Sequence, residues 1–124
     1  METYVSVRTE HLNSHGTLFG GQLLLWVDEY AWMAASLDYP GKRLVTRAMD
    51  SVNFAASAPN GSILRFVTDK KHEGTTSVTY SVTVYCNVPN DPESLPGKKD
   101  EFTLFSNCVT FVAVNQQGEK TAIR

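Results

Sequence analysis

The stretch Gln22-Leu23-Leu24-Leu25-Trp26-Val27-Asp28-Glu29-Tyr30-Ala31-Trp32-Met33-Ala34-Ala35-Ser36-Leu37 decides the fold. Leu, Ala, Trp, Met and Val recur in it at helical spacings on nearly every face, with only Gln22, Asp28, Glu29 and Ser36 counted as polar. A helix of this make-up is expected to be buried almost all round. Gly20 and Gly21 mark its beginning, and Tyr39-Pro40-Gly41 stops it, as proline and glycine do just beyond a helix C-terminus.

Outward from the helix the period changes from about four to two. Leu44 to Phe54, Ser62 to His72, Thr76 to Val88 and Phe102 to Val114 are rich in Val, Thr, Phe and Tyr and are separated by Pro, Gly and Asn signals. They predict four antiparallel strands. In Ser77-Val78-Thr79-Tyr80-Ser81-Val82-Thr83-Val84-Tyr85 hydroxyl and apolar residues alternate, so one face of that strand is buried and the other is wetter. Tyr4 to Arg8 predicts a short opening strand, Thr9 to Thr17 a loop, and Asn87 to Asp100, with three prolines, an exposed loop. One long apolar helix and several long strands predict an α+β chain in which an antiparallel sheet wraps around a central helix, the hotdog arrangement. Such a sheet leaves an edge and a concave margin uncovered, so a homodimer is the smallest assembly expected.

With 124 residues the chain is the size of one ordinary domain, expected to span residues 1–124. Its 42% hydrophobic and 19% charged residues describe a packed globular protein rather than a disordered or fibrous one. Eleven Lys and Arg against thirteen Asp and Glu give a net charge of −2, which provides no general field for a polyanion, so nucleic acid is not expected as a partner. The apolar run around Leu23 to Val27 is broken by Asp28 and Glu29, short of the ~20 residues of a membrane span. The N-terminus has neither a basic start nor an apolar core of signal-peptide length, and a cytoplasmic protein without membrane contact is expected. Cys86 and Cys108 lack CxxC or Cys/His spacing and read as reduced thiols. His11 and His15 have the spacing of a metal pair, but they lie in a loop beside Asn13, Ser14 and Gly16, and no metal is expected.

Asp28 is the strongest anomaly. Its neighbours three and four residues away are Leu24, Leu25, Ala31 and Trp32, and an unpaired charge in apolar surroundings is costly. Burial there should raise its pKa toward the working range of a general base, whereas a structural role would have it pair across a subunit interface or cap a backbone group. Glu29, beside Leu25, Trp26, Trp32 and Met33, fits the same pattern, so spacing alone leaves both carboxylates as candidates. Phe19-Gly20-Gly21 offers free N–H groups at the positive end of the helix, where an oxyanion could sit against a backbone without side chains, although a glycine pair is also an ordinary tight turn. Lys70, Lys71 and His72 either meet an anionic ligand or solvate a strand end. Trp26 and Trp32 read as core, with closure of a ligand pocket as the alternative.

Asn13-x-x-Gly16-x-x-Phe19-Gly20-Gly21 followed by Asp28 resembles the signature of the YciA-like, acyl-CoA thioesterase branch of the hotdog superfamily. Val45-Thr46, Phe54, Gly61, Gly74-Thr75-Thr76-Ser77 and Phe111-Val112-Ala113-Val114 extend the resemblance from about Glu10 to Gly118. The resemblance implies hydrolysis of acyl-CoA to free CoA and a carboxylic acid, with Asp28, not Glu29, as base or nucleophile. It further implies that the Gly20 or Gly21 amide belongs to an oxyanion hole and that Asn13 orients the carbonyl or the water. Thr46, Phe54 and the turn Gly74, Thr75, Thr76 and Ser77 are implied as substrate or CoA contacts, with no cofactor beyond the coenzyme A of the substrate, and Lys70, just before that turn, is a candidate contact to the CoA phosphates by its position alone. One departure stands out: relatives often carry Arg-Pro soon after the phenylalanine, where this chain has Ala55-Ala56-Ser57-Ala58-Pro59.

Geometry adds an inference of its own. Gly20 and Asp28 are eight residues apart, ~12 Å along a helix. One thioester cannot touch both in a single chain, so a site that uses both must be shared between subunits of a dimer. Two other functions remain open: a hotdog dehydratase, which would want a histidine paired with a carboxylate, and a non-catalytic acyl-CoA sensor.

Overall fold

The computed structural model describes residues 1–91, 93 and 101–124. Its elements are β1 (Glu2–Ser6), a 3₁₀ turn (Thr9–His11), α1 (Gly20–Asp38), β2 (Arg43–Met49), β3 (Ile63–Glu73), β4 (Ser77–Asn87) and β5 (Phe102–Val114). The strands form one antiparallel sheet in the order β1-β3-β4-β5-β2, curled around α1. The hotdog arrangement predicted from the sequence is present. The central part of the predicted loop from Asn87 to Asp100, at 92 and 94–100, lies outside the described residues.

The alternation in β4 is realised residue by residue. Val78, Tyr80, Val82, Val84 and Cys86 are buried beneath the helix, and the residues between them are half-buried on the outer face. From α1, Leu23, Trp26, Val27, Ala31, Ala34 and Ala35 fill the concave side, where Trp26 and Tyr30 meet the Phe66 ring edge-on at 6.2 and 4.9 Å. The alanines let the helix settle close to the sheet. The expectation of a helix buried almost all round does not hold for the single chain: Leu25, Trp32 and Leu37 are 55%, 44% and 74% exposed. The sheet curls over one stripe of the helix and leaves the opposite stripe, with its apolar residues, facing outward.

β2 is shorter than its sequence pattern. It ends at Met49 instead of reaching Phe54, and at the next residue the buried side chain of Asn107 joins the backbone bonding. The Asp50 amide donates to Asn107 Oδ1 at 2.9 Å and to the Cys108 carbonyl at 3.1 Å, and Asn107 Nδ2 donates to the Asp50 carbonyl at 3.3 Å. Residues 51–57 then leave the sheet, and the chain is tied down again where the Leu18 amide donates to the Ala58 carbonyl at 2.8 Å. Cys86 is buried and Cys108 half-buried, both as free thiols. Among the described residues no helix is long and apolar enough to cross a membrane.

Candidate active site

The candidate residues fall into two groups in the chain. The first surrounds the start of α1. Phe19 is its extended N-cap residue, with no side chain capping the helix, and its carbonyl accepts from the amides of Gln22 and Leu23. The Gly20 and Gly21 amides, at the first two helical positions, have no acceptor within the helix. Both glycines lie close against exposed aromatic rings, which would have to swing aside to admit a side chain. A Cβ on Gly20 would lie 3.0 Å from Cζ of Phe54, and one on Gly21 would lie 2.6 Å from Cε1 of Phe19. Beside this helix start opens a cavity of about 410 Å³, lined by Asn13, Thr17, Leu18, Phe19, Gly20, Leu23, Phe54, Ala56, Ser57, Ala58 and Leu104. Asn13, Gly20 and Phe54 of the candidate set thus share one cavity.

Asn13 is occupied by its own loop. Its Oδ1 accepts from the amides of His15 and Thr17 at 2.9 and 3.2 Å, and its Nδ2 donates to Thr17 Oγ1 at 3.1 Å. The side chain therefore shapes the turn that precedes the helix, and one amide hydrogen remains for the cavity. His11 Nδ1 accepts from the Arg8 amide at 3.0 Å, and its ring meets Trp26 edge-on at 4.8 Å, so it too serves the fold. Among the described residues no group of three or more His, Cys, Asp or Glu is placed to hold a metal.

The second group lies on the outward stripe of α1. Asp28 is half-buried and its Oδ1 accepts from Thr46 Oγ1 at 2.6 Å, so the carboxylate is neither solvent-free nor unpartnered. Glu29 is exposed. One turn further on, Trp32 Nε1 donates to the Leu44 carbonyl at 3.3 Å, a second tie between the helix and β2. Thr46 pairs with Phe111 of β5, and Phe111 pairs with Val78 of β4. The turn of Gly74, Thr75, Thr76 and Ser77 therefore stands at the same level as Thr46, ~10 Å away across β5. Within the turn the Gly74 amide donates to the Ser77 carbonyl at 2.8 Å, and a Cβ on Gly74 would lie 3.0 Å from Ser77 Oγ. The carbonyls of Thr75 and Thr76 accept from Ile123 and Ala113.

Lys70 is engaged within the chain. Its Nζ stands 4.6 Å from the centre of the Tyr39 ring and 4.0 Å from Glu73 Oε1, and the first of these contacts holds its pKa above the ordinary lysine value. Glu73 also accepts from Tyr39 and from Arg124, and these bonds hold its carboxyl below the usual range, Arg124 being the larger cause. Burial, aided by Asp38, pushes the Tyr80 hydroxyl well above the ordinary tyrosine range, and that hydroxyl donates to Asp38 Oδ2 at 2.5 Å.

Three features escaped the sequence: the Thr46 bond to Asp28, the stack of Phe54 on Phe105 at 5.6 Å, and the Asn107 anchor. Only the first had a readable signal, since the period of two puts Thr46 on the same face of β2 as the buried Leu44.

A sheet rolled around one helix, a cavity at the helix start and a hydrogen-bonded carboxylate two turns along define a hotdog protein with a candidate active site. The chain belongs to the Thioesterase superfamily, whose family model matches residues 15–92. It is 33% identical to the acetyl-coenzyme A thioesterase of Mus musculus over 79 residues, 64% of this chain but only 14% of the mouse protein. Among solved structures it is similar to a hexameric hotdog-fold thioesterase of Campylobacter jejuni, with a TM-score of 0.82, 26% identity, and coverage of 98% of this chain and 88% of that one. It is also similar to an acyl-CoA hydrolase from Staphylococcus aureus in complex with butyryl coenzyme A, coenzyme A and coenzyme A disulfide. That match has a TM-score of 0.83, 26% identity, and covers 98% of this chain and 70% of that one.

Proposed function

We propose that the chain, acting as one unit over residues 1–124, hydrolyses acyl-CoA thioesters to CoA and a carboxylic acid at a site shared by two copies. The observation that carries this reading is the separation of the two residue groups. The helix-start amides and the cavity lie on one side, and Asp28 with Thr46 lies ~12 Å along the same helix on its outward stripe.

Asp28 stands between the exposed apolar residues Leu25 and Trp32, next to edge strand β2, where Val45 is also exposed. A second copy seated on this face would cover the apolar stripe and pair the free edge of β2. It would also bring its own Gly20 turn toward Asp28. The relative from Campylobacter jejuni is hexameric, which is consistent with such dimers as building blocks.

In the assembled site the thioester carbonyl accepts from the Gly20 or Gly21 amide of one copy, and the helix dipole stabilises the charge that develops on the oxygen. Asp28 of the other copy, held in place by the Thr46 hydroxyl, takes a proton from water as the water attacks. Direct attack by the carboxylate, through a mixed anhydride, uses the same placement. The tetrahedral intermediate collapses with loss of the CoA thiolate, which is protonated on release. The Staphylococcus aureus relative has been solved as an aspartate variant and as a variant of an asparagine fifteen positions earlier, the same separation as Asn13 from Asp28, which supports assigning both to the site. The CoA portion extends over β5 toward the Gly74–Ser77 turn. Lys70, already held by Tyr39 and Glu73, is a weaker candidate for its phosphates than the sequence suggested.

The test is release of free thiol from a panel of acyl-CoAs, with affinity measured in parallel. Turnover of at least one member is expected. Binding without turnover across the panel would replace the hydrolase reading with that of an acyl-CoA sensor.

A further inference from the structure

We infer that the cavity beside the helix start takes the acyl chain, and that Phe54 is the residue that limits its length. This inference rests on the thioesterase reading, because it follows the acyl tail onward from a carbonyl held at the Gly20 amide.

The cavity has an inside and an outside. Leu18, Leu23, Ala58 and Leu104 are 9%, 4%, 1% and 3% exposed and form its inner wall, whereas Phe19 and Phe54 stand at the mouth at 57% and 48%. Among the described residues no charged side chain lines it, and its polar groups, those of Asn13, Thr17 and Ser57, leave most of the described wall apolar. Such a lining favours a hydrocarbon tail over a charged or hydroxylated one, which would lose its water without recovering hydrogen bonds. The volume of about 410 Å³ lies in the lower part of the range for small-molecule pockets, so only a chain of limited length fits.

Phe54 stands where the tail must pass. The edge of its ring abuts the α-carbon of Gly20, close enough that even a Cβ there would be at 3.0 Å, and its face stacks on the buried Phe105. A chain that leaves a carbonyl at the Gly20 amide and enters the cavity runs along this ring. Among the described residues no hydrogen bond ties 51–57 to the rest of the chain, so the stack on Phe105 is what fixes the ring. The small residues Ala56, Ser57 and Ala58 then leave the remaining space open.

The experiment measures kcat/KM and Kd for butanoyl-, octanoyl- and dodecanoyl-CoA with the parent, Phe54→Ala and Ala56→Leu. Removing the ring is expected to raise the dodecanoyl-to-butanoyl ratio of kcat/KM by about tenfold or more, and filling the cavity from the exposed position 56 to lower the octanoyl-to-butanoyl ratio by a similar factor. Parental ratios in both variants, with the parent active, would overturn the assignment of Phe54 and the cavity while leaving the hydrolase reading intact. If the parent hydrolyses neither these three nor any other acyl-CoA of the panel, the hydrolase reading falls, and the Kd ratios decide whether the cavity still selects by chain length.

Discussion

Two carboxylates, Asp28 and Glu29, stand side by side in the sequence with equally apolar neighbours, and helical spacing does not tell them apart. What separates them is a contact across 18 residues: Thr46 donates to Asp28 at 2.6 Å, whereas Glu29 is exposed. That contact depends on how β2 is placed against α1, which no local pattern encodes. It also gives the site a graded test. Asp28→Asn should lower kcat by ~10² to 10⁴, the usual cost of a positioned general base. Thr46→Val should cost ~10- to 150-fold, since a hydrogen bond to a charged group is worth ~1.5 to 3 kcal/mol, and Thr46→Ser should recover most of the loss. Glu29→Gln should stay near the parent. Steady-state kinetics of the four variants on one acyl-CoA checks this order, and a dead Glu29→Gln beside an active Asp28→Asn would reverse the assignment.

At the scale of elements, legibility followed the range of the forces involved. The strict alternation of β4 and the β5 bounds from Phe102 to Val114 agree with the sequence, because the period of two reflects a face that must be buried. β2 stops five residues early, where Asn107, 57 positions away, shares the Asp50 amide with the Cys108 carbonyl, and that contact carries no local signature. The end of β3 illustrates a charge contact of the same kind. Glu73, whose ordinary value is 4.5, is held lower by Arg124 and Tyr39. A carboxyl depressed by folding adds stability above its unfolded value and loses it as pH falls through the lower folded value. Arg124→Ala should therefore melt below the parent at neutral pH, and the gap should narrow in acid below about pH 4.5, as thermal melts at a series of pH values will show. A gap that widens in acid would contradict the role given to Glu73.

For the whole molecule, the expectation of a helix buried almost all round and the finding of an exposed stripe would be reconciled by the proposed second copy. Leu25, Trp32 and Val45 are exposed in the single chain beside the free edge of β2, the face the proposed partner would cover. The central claim is that each site takes Asp28 from one copy and the helix-start amides from the other. Subunit complementation tests it directly. Asp28→Asn removes the base, and Gly20→Pro removes an amide donor at the first helical position, where proline is tolerated and the preceding Phe19 is already extended. Loss of an oxyanion donor typically costs ~10² to 10³ in rate, so each variant alone should be nearly inactive. After the two are mixed in equal amounts and allowed to exchange subunits, half the dimers are mixed, and each of these holds one intact site, so activity should rise to about a quarter of the parent's. If subunit exchange is demonstrated and activity stays at the mean of the two variants, the site lies within one chain and the account is wrong.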